Sequence, residues 1–170
     1  MAGFYPDFYA DSLKSITAEF LSGKGIEAIW LDIDNTISLV DDPAPTPEGA
    51  QWVERMKNEG FIIGLVSNND PERVEPFAES LGLIYISHAE KPKPQGYLSL
   101  CKKAGVSPDK CVMVGDQLVT DVLGGNRAGI LTIAVAPINT EMDPKNFRKR
   151  RKLENILMAM YRLIHKKRIL

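Results

Sequence analysis

The sequence predicts an α/β protein, a Rossmann-like three-layer sandwich around a five-stranded parallel sheet. Short apolar runs alternate with longer amphipathic stretches, the pattern of parallel strands covered by helices. Proline stands near the first turn of several of those stretches and glycine just past their ends. A length of 170 residues with 44% apolar content matches one ordinary domain core.

Taken in order, Phe4 to Leu21 reads as one or two extra helices, within an N-terminal helical extension over residues 1–25. The apolar run Ala28 to Ile33 is the first strand, with Trp30 in the core. The stretch Asp41-Asp42-Pro43-Ala44-Pro45-Thr46-Pro47 is a stiff extended loop. Thr46-Pro47 then opens a helix to Glu59, where Trp52 and Met56, four apart, share a packing face. Phe61 to Val66 is the second strand and Pro71 to Leu81 the next helix, which Pro76 shortens or bends by removing a backbone donor. Leu83 to Ile86, Cys111 to Gly115 and Ile130 to Ala136 complete the strands, with helices at Pro94 to Ala104 and Leu118 to Ala128 between them. Residues 1–144 form the body, and residues 145–170 a basic amphipathic C-terminal helix.

The net charge of -1 conceals a strong asymmetry. Up to Pro144 the chain has 11 Lys/Arg against 21 Asp/Glu, and from Lys145 onward 10 Lys/Arg against the single acid Glu154, so the body carries -10 and the tail +9. Cys101 and Cys111 lack CxxC spacing and read as buried thiols, not as a zinc site or a disulfide framework. Met1-Ala-Gly-Phe-Tyr-Pro-Asp has no basic segment followed by a long apolar one, and no segment reaches the roughly 20 apolar residues of a membrane span. A cytoplasmic location is expected, with peripheral contact at the inner face of the membrane open to the tail.

In an open parallel sheet, ligands collect at the carboxyl ends of the strands. Here those ends carry Asp32 and Asp34, then Ser67-Asn68-Asn69-Asp70, then Lys91-Pro92-Lys93-Pro94, then Gly115-Asp116 with Asp121 beyond. Carboxylates can hold Mg²⁺, which takes oxygen ligands and neutralises phosphate charge. A hydroxyl, backbone N–H groups and an ammonium can bind the remaining phosphoryl oxygens. Two carboxylates spaced Asp-x-Asp, with a turn beginning after the first, can serve as nucleophile and as acid/base, splitting one displacement into two easier steps. His88 lies near these residues in sequence, but nothing specifies a partner for it.

With these residues the chain resembles the haloacid dehalogenase (HAD) superfamily of phosphatases. Asp32-Ile33-Asp34-Asn35-Thr36, Ser67, Lys91 and Gly115-Asp116 with Asp121 look like its four motifs in order. The similarity covers roughly Ile26 to Pro137. The forms Asp-Asn-Thr, Ser-Asn-Asn and Gly115 to Arg127 look more narrowly like the YqeG family of subclass IIIA. The resemblance implies Asp32 as nucleophile and metal ligand, and Asp34 as acid/base with its carbonyl on Mg²⁺. Ser67 and Asn68 would bind phosphate, Lys91 would neutralise it, and Asp116 would ligate the metal. Asp121 would support the metal or orient the lysine, and Lys93 rivals Lys91.

The spacing between the motifs leaves no room for a cap domain, so a capless HAD fold with an open site is expected, unless a second copy supplies the roof. Such a site suits a phosphate monoester on a large object. The tail positions Leu153, Ile156, Leu157, Met160, Leu163 and Ile164 follow helical spacing, flanked by Arg148 to Lys152 and Lys166 to Arg168. Such a helix can lie on an anionic phospholipid surface or pack its apolar stripe on the body. The acidic body and the absence of a reader motif argue against nucleic acid. Together with the open site and the basic tail, resemblance to the mitochondrial and bacterial phosphatases related to this family implies a phosphatase of phosphatidylglycerophosphate as the leading expectation. The alternatives are a protein, nucleotide or sugar phosphate as substrate, or a scaffold that keeps the fold without the reaction.

Overall fold

A computed structural model describes residues 3–142 and 145–170, with the side chains of residues 142–149 and 167 outside the description. The expected boundary at residue 144 and the side chains of Arg148, Lys149 and Lys167 therefore lie outside the described residues.

Six parallel strands form one sheet: β1 (Phe8–Ala10), β2 (Ala28–Leu31), β3 (Ile62–Val66), β4 (Ile84–Ile86), β5 (Cys111–Gly115) and β6 (Leu131–Val135), in the order β1-β6-β5-β2-β3-β4. The helices are α1 (Ala18–Gly23), α2 (Pro47–Asn58), α3 (Pro71–Leu81), α4 (Gln95–Ala104), α5 (Leu123–Arg127) and α6 (Lys145–Ile164). The central strands are buried on both faces, so their alternate residues feed two separate cores. Ile29, Leu31, Ile63 and Leu65 pack with Trp52, Met56 and Phe77 on one side. Ala28, Trp30 and Met113 pack with Tyr97, Leu100 and Cys101 on the other. The polar atoms of the large rings are satisfied: Trp52 Nε1 donates to Ile16 O at 3.0 Å, and Trp30 Nε1 donates to Cys101 Sγ at 3.4 Å.

The expected five strands become six because part of the segment read as helical pairs with the sheet instead. Phe8–Ala10 lies beside β6 in the register Phe8↔Ile133 to Ala10↔Val135, and Asp7 Oδ2 accepts from Thr132 N at 2.9 Å at the start of that pairing. The helical part of the segment is confined to a 3₁₀ turn at Leu13–Ser15 and to α1, whose Thr17 cap accepts from Phe20 N. Helical spacing was weak there, and the open edge of β6 supplies backbone partners that no local pattern announces. Pro76 does not shorten α3, which runs over its full expected span. The proline is exposed, so the carbonyl it leaves unpaired within the helix lies on the solvent side.

The stretch expected as one helix from Leu118 divides into a π-helical turn, Leu118–Val122, and α5. Cys101 and Cys111 are buried thiols with sulfurs 3.7 Å apart. Among the described residues no helix is long and apolar enough to cross a membrane.

Of the apolar stripe of the C-terminal helix, Leu157 packs on the body and the other five positions do not. Its inward side is Arg151, Glu154, Met158 and Tyr161, the last packed with Tyr9, Leu118, Val122 and Ala134. Tyr161 Oη donates to Asp7 O at 3.0 Å, and Leu170 N donates to Tyr9 O at 2.8 Å, so the tail closes over the β1 edge. Leu153, Ile156, Met160, Leu163 and Ile164 face outward.

Candidate active site

Strand order reverses between β2 and β5, the place where an open α/β sheet leaves a crevice at its carboxyl end. A cleft of about 200 Å³ lies there, lined among others by Asp32, Asp34, Ser67, Asn68, Lys91 and Gln117. Asp32 follows β2, and its N–H donates to Val114 O at 3.0 Å, fixing it to β5. The chain then turns through Asn35, at φ 60, a left-handed conformation that asparagine tolerates better than most residues. That turn brings Asp34 to the same cleft. Asn69 Nδ2 donates to Asp34 Oδ2 at 2.8 Å, and the Arg73 guanidinium pairs with Asp34 Oδ1.

Lys91 is the lysine of the cluster. Its Nζ donates to Asp32 Oδ1 at 2.7 Å and to Asp121 Oδ1 at 2.8 Å, all three side chains being buried. Lys93 pairs with Glu90 at the surface. Asn68 clamps the backbone of Lys91 from both ends of its amide, accepting from Lys91 N at 2.7 Å and donating to Lys91 O at 3.2 Å. Ser67 is buried, and its Oγ accepts from Asn69 N at 3.1 Å. Asp121 Oδ2 accepts from Gln117 N at 3.0 Å. The same carboxylate lies against Gly115, where any β-carbon would overlap it, so glycine before Asp116 is a packing requirement. His88 lies outside the cluster, facing Asp70 Oδ1 at 3.5 Å on the surface.

Asp116 closes the far side. Arg151 Nη2 donates to its Oδ2 at 2.5 Å, and Nη1 donates to its backbone oxygen at 3.1 Å. Asp116 Oδ1 is buried with no hydrogen-bond partner among the described residues. One carboxylate oxygen from each of Asp32, Asp116 and Asp121 can be chosen so that all three lie within 4.8 Å of one another. Asp32, Asp116, Asp121 and Glu154 are four buried carboxylates, and the buried cations Lys91 and Arg151 pair with them. Hard oxygen donors, excess negative charge and an unsatisfied ligand atom together fit a divalent cation.

Burial governs the acid–base behaviour of this cluster. It raises Asp32 from 3.8 to about 7, Lys91 pulling the other way and Asp121 adding to the rise. Burial also lifts Asp116 well above its ordinary value, against the pull of Arg151. Burial lowers Lys91, but Asp121 and Asp32 outweigh it and hold the ammonium above its ordinary value. A carboxyl raised on folding binds more protons folded than unfolded, so its contribution is full below the unfolded value and is lost as pH rises through the folded one. For Asp32 that window runs from 3.8 to about 7. The metal-free protein is therefore expected to lose stability as pH rises toward 8, and a saturating divalent cation to flatten the slope by stabilising the charged carboxylates. Thermal melts across that range, in chelator and in metal, measure both slopes.

The sequence reading did not include Arg73, Asn69 or Arg151 in the site. Asn69 stands directly after two of the candidate residues and Arg73 in the first turn of α3, so proximity was the available signal for both. Arg151 sits inside a basic run with nothing to distinguish it.

Comparison with known proteins shows the family. The sequence model of the haloacid dehalogenase-like hydrolase family matches residues 6–129. The chain is 40% identical over 135 residues to the "Probable phosphatase YqeG" of Bacillus subtilis, covering 79% of this chain and 78% of that protein. It is 30% identical over 168 residues to a chloroplastic "Phosphatidylglycerophosphate phosphatase 1" of Chlamydomonas reinhardtii, covering 92% of this chain but 61% of that longer protein. Among solved structures, an uncharacterized protein from Listeria monocytogenes serotype 4b shares the fold, with TM-score 0.57 and 18% identity over 70% of this chain and 85% of that one.

Proposed function

Since the chain belongs to the haloacid dehalogenase-like hydrolases and is a phosphatase of that family, we propose that it hydrolyses the phosphate monoester of phosphatidylglycerophosphate in a Mg²⁺-dependent reaction. The observation that carries this reading is an uncovered cleft of about 200 Å³, on the small side for a ligand pocket, in a chain similar to a phosphatase of that lipid. A cleft of that size is small beside a phospholipid, which fits a substrate whose phosphate enters while the rest stays outside.

Asp32, Asp116 and Asp121 would hold Mg²⁺, together with the Asp34 backbone carbonyl. Bound there, the ion supplies charge neutralisation that lets a carboxylate approach a phosphate dianion. Lys91 Nζ, the Ser67 hydroxyl and the Asn68 backbone N–H take the other phosphoryl oxygens. Asp32 attacks phosphorus through a carboxylate oxygen, forming an acyl phosphate as the P–O bond to the alcohol breaks. Asp34 gives that alkoxide its proton. Water then attacks the same phosphorus, Asp34 takes the proton back, and the bond to Asp32 breaks to release inorganic phosphate. Arg73 and Asn69, each on one oxygen of Asp34, fix its direction between these two proton transfers.

The test is release of inorganic phosphate from phosphatidylglycerophosphate in detergent micelles, compared with a panel of soluble sugar, nucleotide and peptide phosphates. The lipid is expected to be the best substrate, and activity to vanish in chelator. Turnover of a soluble phosphate with none of the lipid discards the lipid assignment and leaves the reaction class.

A further inference from the structure

We propose that the outward face of α6 docks this protein on an anionic lipid bilayer, while the inward face of the same helix holds the active-site cleft beside that surface. The proposal rests on the reading of the substrate as a lipid-borne phosphate, and specifies how the site reaches it.

The helix is amphipathic in two directions. Inward, Arg151 and Glu154 are buried at the rim of the site, and Tyr161 is buried against the β1 edge. Glu154 Oε1 accepts from Val119 N at 3.2 Å, tying the helix to the π turn that carries Asp121. These contacts settle the rotation of α6, so the outward stripe is not a core face turned the wrong way. Outward, Leu153, Ile156, Met160, Leu163 and Ile164 recur at i, i+3, i+7, i+10 and i+11, one continuous stripe. They are 58%, 59%, 49%, 74% and 70% exposed, an unusual concentration of bare apolar side chains on a chain whose other large apolar residues are mostly buried.

Charge selects the occupant. Exposed Lys152, Lys166 and Arg168 border the stripe, in a tail of +9 joined to a body of -10. An anionic bilayer attracts the tail and repels the body, so it orients the molecule as well as binding it. A second copy docked stripe to stripe would bring two basic flanks together. A helix with a large apolar moment and low overall hydrophobicity lies in the plane of the interface, and among the described residues no helix is fit to cross it.

The distance to the chemistry is short. Arg150 contacts Gln117, which lines the cleft. At a rise of about 1.5 Å per residue, Leu153 and Ile156 lie only about 4.5 and 9 Å further along the helix axis. A bilayer covering the stripe therefore lies about one helix diameter, roughly 10–12 Å, from the side of α6 that contacts the cleft.

The experiment is co-sedimentation of the full chain with vesicles of phosphatidylcholine, with and without phosphatidylglycerol, neither of which carries a phosphate monoester. The wild type is expected to sediment with the anionic vesicles and stay in solution with the neutral ones. A Leu153→Ser, Ile156→Ser, Leu163→Ser variant is expected to lose at least roughly tenfold in partitioning, while hydrolysing a soluble phosphate ester at the wild-type rate, which also reports that it folds. Unchanged vesicle binding by the variant, or equal binding to both vesicle types, overturns the proposal. So does a wild-type dimer that the variant converts to monomer with no vesicle binding by either, an outcome that makes the stripe a copy-to-copy interface. Docking as expected without hydrolysis of the lipid in micelles leaves the surface standing and discards the substrate. Hydrolysis in micelles without docking does the reverse.

Discussion

Asp32→Asn is expected to lower turnover of every phosphate monoester by roughly 10³-fold or more, because the attacking atom is removed and no neighbouring carboxylate is placed to replace it. Asp34 cannot substitute, being held by Arg73 and Asn69 on the other side of the cleft. Asp121 is engaged at both oxygens by Lys91 and Gln117, and Asp116 at Oδ2 by Arg151. The substitution keeps the volume and still offers an oxygen to Lys91 Nζ. It also removes a charge whose burial already raises Asp32 to about 7, so the metal-free variant is expected to be as stable as the wild type or more so. Steady-state phosphate release and a thermal melt on the same sample separate the two effects. Wild-type turnover by the variant would remove Asp32 from the role of nucleophile.

Arg151→Ala is expected to have the largest effect on stability of any change outside the body. Arg151 and Asp116 are both buried, and removing one partner of a buried ion pair costs about 3–5 kcal/mol because the other is left uncompensated. In a chain of this size that corresponds to a fall of roughly 6–20 °C in Tm. The loss falls on Asp116, whose other oxygen already lacks a partner, and on Glu154, 3.8 Å from the guanidinium. Added Mg²⁺ is expected to raise Tm more in the variant than in the wild type, since the ion then supplies the positive charge that Arg151 provided. A Tm unchanged within about 1 °C would mean that α6 does not complete the acidic cluster.

The parts of the fold that repeat a local pattern were legible in the sequence. β2, β3, β5 and β6 are short apolar runs with turn signals at each end, and α2, α3 and α4 begin within a residue of the prolines that announced them. β1 was not legible because three residues carry little periodicity, and its pairing is decided by β6, more than 120 positions away. The unbroken α3 shows that the exposed Pro76 is tolerated where one missing hydrogen bond faces solvent.

For the candidate site, residue types and their order along the chain were enough to nominate Asp32, Asp34, Ser67, Lys91, Asp116 and Asp121, because each follows a strand and parallel strands end on one edge. The choice between Lys91 and Lys93, both followed by proline, needed side-chain direction: one ammonium lies between two buried carboxylates and the other beside Glu90 at the surface. Asn68, nominated for phosphate, has both ends of its side chain on the Lys91 backbone, which leaves its N–H for that role.

The sequence by itself determined the α/β class and the edge of the sheet where chemistry gathers, since these follow from periodicity, and its resemblance to the haloacid dehalogenase phosphatases implied the reaction class. Only the tertiary structure decided which way the tail helix turns. Its spacing presents a continuous apolar stripe, and burying that stripe is the ordinary outcome. The body instead offers Asp116 and the Val119 N–H at that position, and a buried carboxylate left without its guanidinium there would be uncompensated. Arg151 and Glu154 turn in, and Leu153, Ile156, Met160, Leu163 and Ile164 stay exposed.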